Sequence, residues 1–128
     1  MSGRYGTGQE NKSRRAERMP ARYDLSLRAN AAKLAAVDQL SELAAKAGHS
    51  LPELAVAFVL AHPAVTSAII GPRTMEQLTS LLDAANILLD HDVLDAIDQI
   101  VPPGQDLNIG DHGWVAPWVE EAALRRRY

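Results

Sequence analysis

The sequence predicts an α/β protein that is mostly helical in this chain, with one clear strand near residues 66–70. That strand is a short apolar run that stops at Gly71-Pro72, as expected of a strand buried in a parallel sheet. Elsewhere, apolar residues recur at helical spacing. No second convincing strand is found, and a lone strand cannot satisfy its own backbone hydrogen-bonding groups. We therefore expect this chain to be the end of a larger α/β fold whose other strands lie upstream.

Length and composition are those of one globular domain. The chain has 128 residues, of which 47% are hydrophobic and 23% charged, which is enough for a real core. It contains no cysteine, which excludes disulfides, thiolate metal sites and a thiol nucleophile. The longest apolar run, residues 54–61, is too short for a membrane span, and no signal sequence is evident. We expect a soluble, cytoplasmic protein with no membrane partner.

The N-terminal part of the chain is basic. Residues 1–33 contain eight Lys or Arg and three acidic residues, whereas the remainder contains five and thirteen. A basic segment can bind nucleic acid, but here no recognition helix, interleaved aromatic residues or nucleic-acid motif accompanies it. We therefore predict no nucleic-acid partner and interpret residues 6–28 as a long polar loop.

The first two predicted helices meet at Gly48. An Ala-rich segment from Asn30 to Ala47 places its apolar residues on one face. Ser50 and Glu53 then have the spacing of a capping box, in which each residue's side chain accepts a hydrogen bond from the other's backbone N–H. They open a shorter helix from Leu51 to His62 that is almost wholly apolar and must therefore be buried.

Further helices are predicted after the strand. One covers Met75 to Asn86, and a second is capped by Asp90 and runs to about Ile100. Residues 102–104 are Pro-Pro-Gly and end it, and a last amphipathic helix is predicted over residues 117–127. No metal site is predicted, because the histidines are not spaced along the sequence as the ligands of a metal ion are. They are His49, His62, His91 and His112.

The candidate site is the strand, turn and helix start written Thr66-Ser-Ala-Ile-Ile-Gly-Pro-Arg-Thr-Met-Glu-Gln77. Thr74 and Gln77 have capping-box spacing, so a helix begins directly after the turn. Helix N-termini favour phosphate groups. Gly71 lets the backbone approach a ligand, and the guanidinium of Arg73 suits phosphate oxygens. The alternative is an ordinary turn with a surface arginine, and the residues alone leave both interpretations open.

A longer stretch around this turn resembles the C-terminal part of the aldo-keto reductase family. It reads Leu54-Ala-Val-Ala-Phe-Val-Leu-Ala-His-Pro-Ala-Val-Thr-Ser-Ala-Ile-Ile-Gly-Pro-Arg-Thr-Met-Glu-Gln-Leu78. The preceding helix and residues 87–97 are similar to the same family in order and spacing. Residues 2–5, Ser-Gly-Arg-Tyr, resemble the end of the family's seventh strand and its loop. The resemblance covers about residues 2–100.

The resemblance implies the C-terminal portion of a (β/α)8 TIM barrel. In such barrels the phosphate site is frequently built from the loops after strands 7 and 8, which is where Gly71-Pro72-Arg73 would lie. The chain would be a single partial domain, 1–128, comprising the loop after strand 7 (1–28), the helices and strand 8 (29–100) and a C-terminal tail (101–128).

The resemblance also implies an oxidoreductase that acts on carbonyl compounds with NADP as cofactor. Gly71 and Pro72 would belong to the cofactor-binding turn. The family commonly has Asn four residues after its Gln, and Leu81 stands there in this chain, so one adenine contact lacks its usual residue. By position in the family's motifs, Gly3 and Arg4 would lie near the pyrophosphate, Arg73 near the adenosine 2′-phosphate and Gln77 near the adenosine end.

The family's catalytic Asp, Tyr, Lys and His belong to the first half of the barrel, where the Tyr donates the proton. None of their motifs is present, so we assign no catalytic residue and expect the chain alone to be inactive. Trp114 and Trp118 have two interpretations. They would line a substrate pocket, because the family's tail covers the active site, or they would anchor the tail to the barrel.

Two functional hypotheses follow. The first is the cofactor-binding C-terminal part of an NADP-dependent oxidoreductase, either as a truncated gene product or as one part of a split enzyme. The second is a non-catalytic remnant, or a module that binds a nucleotide or a partner. The expected partners are NADP(H) together with an upstream half-barrel chain or a second copy of this chain.

Overall fold

The computed structural model describes residues 17–24, 26–108, 113–114 and 121–126. We number the α-helices of these residues in chain order. They are α1 (Pro20–Tyr23), α2 (Arg28–Lys46), α3 (Leu51–Leu60), α4 (Met75–Asp83), α5 (His91–Ile100) and α6 (Ala122–Arg125), and a 3-10 turn, Ala84–Asn86, follows α4.

Helix α2 ends at Lys46, and the predicted stop signal, Gly48, follows it in a Schellman motif. Gly48 has φ of 78°, a left-handed conformation that glycine adopts without a Cβ clash. Its N–H donates to the Ala45 carbonyl at 3.1 Å, and the N–H of His49 donates to the Ala44 carbonyl at 2.9 Å. These two bonds satisfy carbonyls that would otherwise lack partners at the helix end.

The predicted capping box opens α3 immediately afterwards. The backbone N–H of Ser50 donates to Glu53 Oε2 at 2.8 Å, and that of Glu53 donates to Ser50 Oγ at 3.4 Å. With one helix ending and the next beginning within a few residues, residues 30–46 and 51–60 are bent by 89° relative to each other. No single helix of the described ranges is long and apolar enough to cross a membrane, and only this bent pair passes that test together.

The core lies between α2, α3 and α5. It consists of apolar side chains from the facing sides of these helices, together with Leu89 from the segment before α5. Leu54 and Leu94 are 2% and 3% exposed. The continuous apolar character of α3 is explained by this position. The buried core residues are Leu40, Ala44, Leu51, Leu54, Ala57, Ala61, Leu89, Leu94 and Ile97.

One buried polar side chain, Asn30, connects distant parts of the chain. Its Nδ2 donates to the carbonyls of Ala21 at 2.9 Å and Asp24 at 2.8 Å. Its Oδ1 accepts from Asn108 Nδ2 at 3.0 Å. Asn30 is 1% exposed and would be costly to bury without these partners. It therefore holds both α1 and the segment at residue 108 against the start of α2.

The strand predicted over residues 66–70 is not confirmed, since the described residues contain no β-strand. The physical reason is that a lone strand cannot satisfy its own backbone hydrogen-bonding groups. Strand pairing needs a neighbour, and in the described part of the chain the backbone groups of residues 66–72 make no hydrogen bond to other backbone groups. This stretch is instead irregular and largely exposed.

The predicted helices are present with shifted ends. Helix α2 starts at residue 28 instead of 30, α3 ends at 60 instead of 62, and residues 75–86 divide into α4 and the 3-10 turn. The polar loop predicted over residues 6–28 is interrupted by α1. The helix predicted over residues 117–127 is described only at residues 121–126, where α6 lies.

Candidate functional site

The start of α4 is built by Thr74. It occupies the position before the first helical residue with φ −128° and ψ 158°, and its Oγ1 accepts from the backbone N–H of Gln77 at 3.2 Å. This is one half of the predicted capping box. A side-chain oxygen at this position satisfies one of the N–H groups that have no partner within the helix, so the helix begins at Met75 as predicted.

The second half of the capping box differs from the prediction by one residue. Gln77 Oε1 accepts from the backbone N–H of Arg73 at 2.9 Å, whereas a capping box would use the N–H of Thr74. Because the backbone N–H must donate to an oxygen, this bond also sets the orientation of the Gln77 amide. Its Nε2 donor is therefore the end that is left for a ligand.

The turn itself is open. Gly71, Arg73, Thr74 and Gln77 are exposed, and Pro72 is half-buried. A Cβ built on Gly71 would meet no atom within 4 Å, so the backbone can be approached closely here. The guanidinium of Arg73 makes no hydrogen bond or ion pair with the described residues. The structure thus brings four of the predicted cofactor-binding residues, Gly71, Pro72, Arg73 and Gln77, into one exposed turn.

The carboxylate of Glu53 positions α4. The sequence did not single out this residue for the candidate site. Glu53 Oε1 accepts from Ser80 Oγ at 2.8 Å, while Oε2 belongs to the capping box of α3. The bond from the Ser50 N–H lowers the pKa of Glu53 most, followed by the Ser80 hydroxyl. Ser80 gave no signal in the sequence, because a serine within a helix has no pattern that names its partner.

The tail is attached to α5 by ion pairs. Asp98 Oδ2 accepts from Arg125 Nη1 at 2.6 Å and from Arg126 Nη2 at 2.7 Å, and Asp95 Oδ1 accepts from Arg126 Nη2 at 2.6 Å. We call these four residues the tail cluster. The hydrogen bond to Asp95 is the main reason why the pKa of Arg126 is raised above its usual value. The side chains of Arg125, Arg126 and Asp98 are only 13–17% exposed.

An apolar groove of about 650 Å³ lies between α2, α3, α5 and the segment after α5. Arg125 and Arg126 line one side of it. Trp114 does not line it and is 79% exposed, so the two interpretations of this residue stay predictions. Gly3, Arg4 and Trp118 lie outside the described residues. In the described ranges no group of His, Asp or Glu side chains could hold a metal ion.

Comparison with known proteins places these elements in a family. The sequence model of the aldo/keto reductase family matches residues 2–102. A curated relative, the uncharacterized oxidoreductase YrpG of Bacillus subtilis strain 168, is 41% identical over 69 residues, which is 53% of this chain and 21% of YrpG. The matched part thus spans about a fifth of that relative's length. No solved structure matches the chain. Because the family match takes in α2 to α5 and the turn between α3 and α4, we conclude that this chain belongs to the aldo/keto reductase family.

Proposed function

We propose that this chain carries the cofactor-binding part of an oxidoreductase that reduces carbonyl compounds with NADPH. Family membership supports the oxidoreductase class, as does the likeness to YrpG, an uncharacterized oxidoreductase. The observation that carries the choice of cofactor is the exposed turn of residues 71–77, in which a guanidinium without a partner among the described residues precedes a helix N-terminus.

The turn fits the adenosine phosphate end of the nucleotide. Thr74 Oγ1 accepts a hydrogen bond from the N–H of Gln77. The first N–H groups of α4, at Met75 and Glu76, have no acceptor within the helix. These donors lie at the positive end of the helix dipole. Arg73 adds a guanidinium group beside them. This cation favours the adenosine 2′-phosphate of NADP over the hydroxyl that NAD has at the same position.

The remaining cofactor residues belong to the proposal by their position in the family's motifs. Gly3 and Arg4 would lie near the pyrophosphate. Gln77 faces the adenosine end through its Nε2 donor, because its Oε1 is bonded to the Arg73 N–H. Trp114 and Trp118 line a substrate pocket or anchor the tail. The cofactor supplies the hydride when bound, and the residues of this chain hold and orient its phosphate end.

No residue of this chain is assigned as the proton donor, so the chain alone should not oxidise NADPH in the presence of reactive aldehydes. The assay includes substitution of Tyr5, Tyr23 and Tyr128 in turn. Activity that is lost in one of these variants would identify a catalytic tyrosine in this chain and overturn the assignment.

The test of the cofactor is a titration of the wild type and of Arg73→Ala with NADP and with NAD. A charge-assisted bond contributes roughly 1.5–3 kcal/mol. We therefore expect Arg73→Ala to weaken NADP binding on the order of 10- to 150-fold and to leave NAD binding unchanged. Arg28→Ala, which removes an exposed arginine at the start of α2, is the matched control and should change neither affinity. Equal affinity for both nucleotides, unchanged by Arg73→Ala, would show that Arg73 is an ordinary surface residue.

A further inference from the structure

Met75 is an exposed methionine at the start of α4. It is the first residue of the helix and directly follows Thr74, which caps the helix. Met75 is 73% exposed, whereas Met19, the other methionine of the described residues, is 42% exposed. A thioether often fills a gap in an apolar core, but no residue of α4 is buried. The sulfur of Met75 is therefore open to an oxidant in solution.

The side chain of Met75 is also directed toward the turn at residues 71–74. The Cα–Cβ bond of every helical residue tilts toward the N-terminus of the helix, and long unbranched side chains continue in that direction. Since Met75 is the first helical residue, we expect its thioether beyond the start of α4, on the side of Arg73. The guanidinium of Arg73 makes no hydrogen bond or ion pair with the described residues, so it is available to an acceptor placed there.

Oxidation converts the thioether into such an acceptor. The oxidant is a hydroperoxide, of which hydrogen peroxide is the simplest. Its O–O bond breaks and one oxygen atom forms a bond to the sulfur, so that the sulfur gives up two electrons and hydrogen peroxide leaves as water. The product, methionine sulfoxide, is polar and carries an oxygen that accepts hydrogen bonds. Methionine sulfoxide reductases convert it back to methionine.

We propose that Met75 is a reversible oxidation site, and that its sulfoxide lowers the affinity of the turn for the 2′-phosphate of NADP. The sulfoxide oxygen accepts a hydrogen bond from the Arg73 guanidinium and thus competes with the phosphate for the same donors. Its partial negative charge also lies at the positive end of the α4 dipole, where the phosphate would bind. The inference rests on the proposed function, because it requires the turn to bind this phosphate.

The first experiment treats the wild-type chain with hydrogen peroxide, follows each methionine by peptide mass spectrometry, and titrates NADP and NAD before and after. Met75 should be oxidised before Met19, because it is more exposed. The affinity for NADP should fall on the order of 2- to 10-fold, since one hydrogen bond of the guanidinium is redirected. The affinity for NAD should not change. Methionine sulfoxide reductase should restore the affinity for NADP.

Two variants locate the effect at the turn. Met75→Leu has an apolar side chain that peroxide does not oxidise, so peroxide should leave its affinity for NADP unchanged although Met19 is still oxidised. The matched control adds Leu82→Met to this variant. It moves the exposed thioether to the other end of α4, where Leu82 is 56% exposed. The new methionine should be oxidised, and the affinity for NADP should again be unaffected by peroxide.

The outcomes separate this inference from the proposed function. If the untreated wild type does not bind NADP, the proposed function fails and the inference fails with it. If NADP binds and its affinity is the same after Met75 has been oxidised, the inference alone is wrong. It is equally wrong if Met19 is oxidised first, if NAD loses as much affinity as NADP, or if peroxide weakens NADP binding in the double variant as it does in the wild type.

Discussion

At the scale of single residues, the carboxylate of Glu53 does the most for the candidate site. One oxygen completes the N-terminal cap of α3, and the other holds Ser80 of α4. Since the turn at residues 71–74 leads directly into α4, the position of that turn depends on this bond. The substitution Ser80→Ala removes only this hydroxyl. It breaks the hydrogen bond between α3 and α4 and leaves the N-terminal cap of α3 in place.

We expect Glu53→Ala to lower the free energy of unfolding at pH 7 by about 1–2 kcal/mol, since it removes both a cap and a bond to a charged acceptor. Ser80→Ala should cost about 1 kcal/mol or less. Urea unfolding followed by circular dichroism measures both. A larger loss in Ser80→Ala than in Glu53→Ala would contradict this division of roles.

The lowered pKa of Glu53 gives its contribution a pH dependence. The hydrogen bonds favour the charged form in the folded state, so the folded protein binds this proton less readily than the unfolded chain. The stabilisation is therefore present above the ordinary pKa of 4.5 and is lost as the pH falls below it. In Glu53→Gln this contribution should be absent, so its unfolding free energy should change less between pH 6 and about pH 3 than that of the wild type. Equal slopes in the two proteins would refute the assignment.

Local spacing predicted which residues cap the helices, but not every bond they make. Thr74 caps α4 as expected, whereas Gln77 reaches the N–H of Arg73 instead of that of Thr74. Asp90 occupies the predicted position before α5 without a side-chain hydrogen bond. A spacing in the sequence specifies which groups are near one another, while the side-chain rotamers select the partner. Rotamers depend on packing that one stretch of sequence does not contain.

At the scale of elements, the corner between α2 and α3 depends on Gly48. We expect Gly48→Ala to destabilise the protein by about 1–2 kcal/mol, because a Cβ is strained in the left-handed conformation. The cost is strain alone, since nothing lies within 4 Å of a Cβ built there. Thermal unfolding measures it.

Gly71→Ala is the natural control for that substitution. Its surroundings are equally empty, but its φ is not in the left-handed region. The same methyl group should therefore leave the stability unchanged within about 0.5 kcal/mol. If both variants lose stability equally, the positive φ of Gly48 is not the cause.

The helices were predictable and the strand was not, for one physical reason. A helix is specified by contacts within a few residues of each other, such as the cap of Ser50 and the apolar spacing of α2. A strand is specified by the backbone of another segment. Residues 66–70 have the composition of a strand, yet no backbone group in the described part of the chain pairs with them.

At the scale of the whole molecule, the tail cluster joins α6 to α5. We expect Asp98→Asn to lower the free energy of unfolding by about 2 kcal/mol, because two mostly buried guanidinium groups lose a charged acceptor. Asp95 is 59% exposed, so Asp95→Asn should cost below about 1 kcal/mol. Urea unfolding of the two variants compares them. The reverse order would contradict the geometry of the cluster.

The tail cluster was not predictable from the sequence. Asp98 and Arg125 are 27 residues apart, and an acidic helix followed by arginines is ordinary at a protein surface. For residues 117–127 the sequence predicted only an amphipathic helix. Of the candidate site, the turn at residues 71–77 was recognisable because its chemistry is local, whereas its support by Glu53 and Ser80 depends on the packing of α3 against α4.

In the described part of the chain the backbone of residues 66–72 has no backbone partner, and this bears on the lifetime of the protein. Proteases cut exposed segments whose backbone is free to enter their clefts, and this one is followed by Arg73, the residue type at which trypsin cleaves. Cleavage there would separate α3 from α4 without first unfolding either helix, so it should proceed at the rate of the native state and not wait for global opening. Anything that pairs with this backbone would withdraw it from the protease, so the rate of cleavage after Arg73 would report whether residues 66–72 are covered.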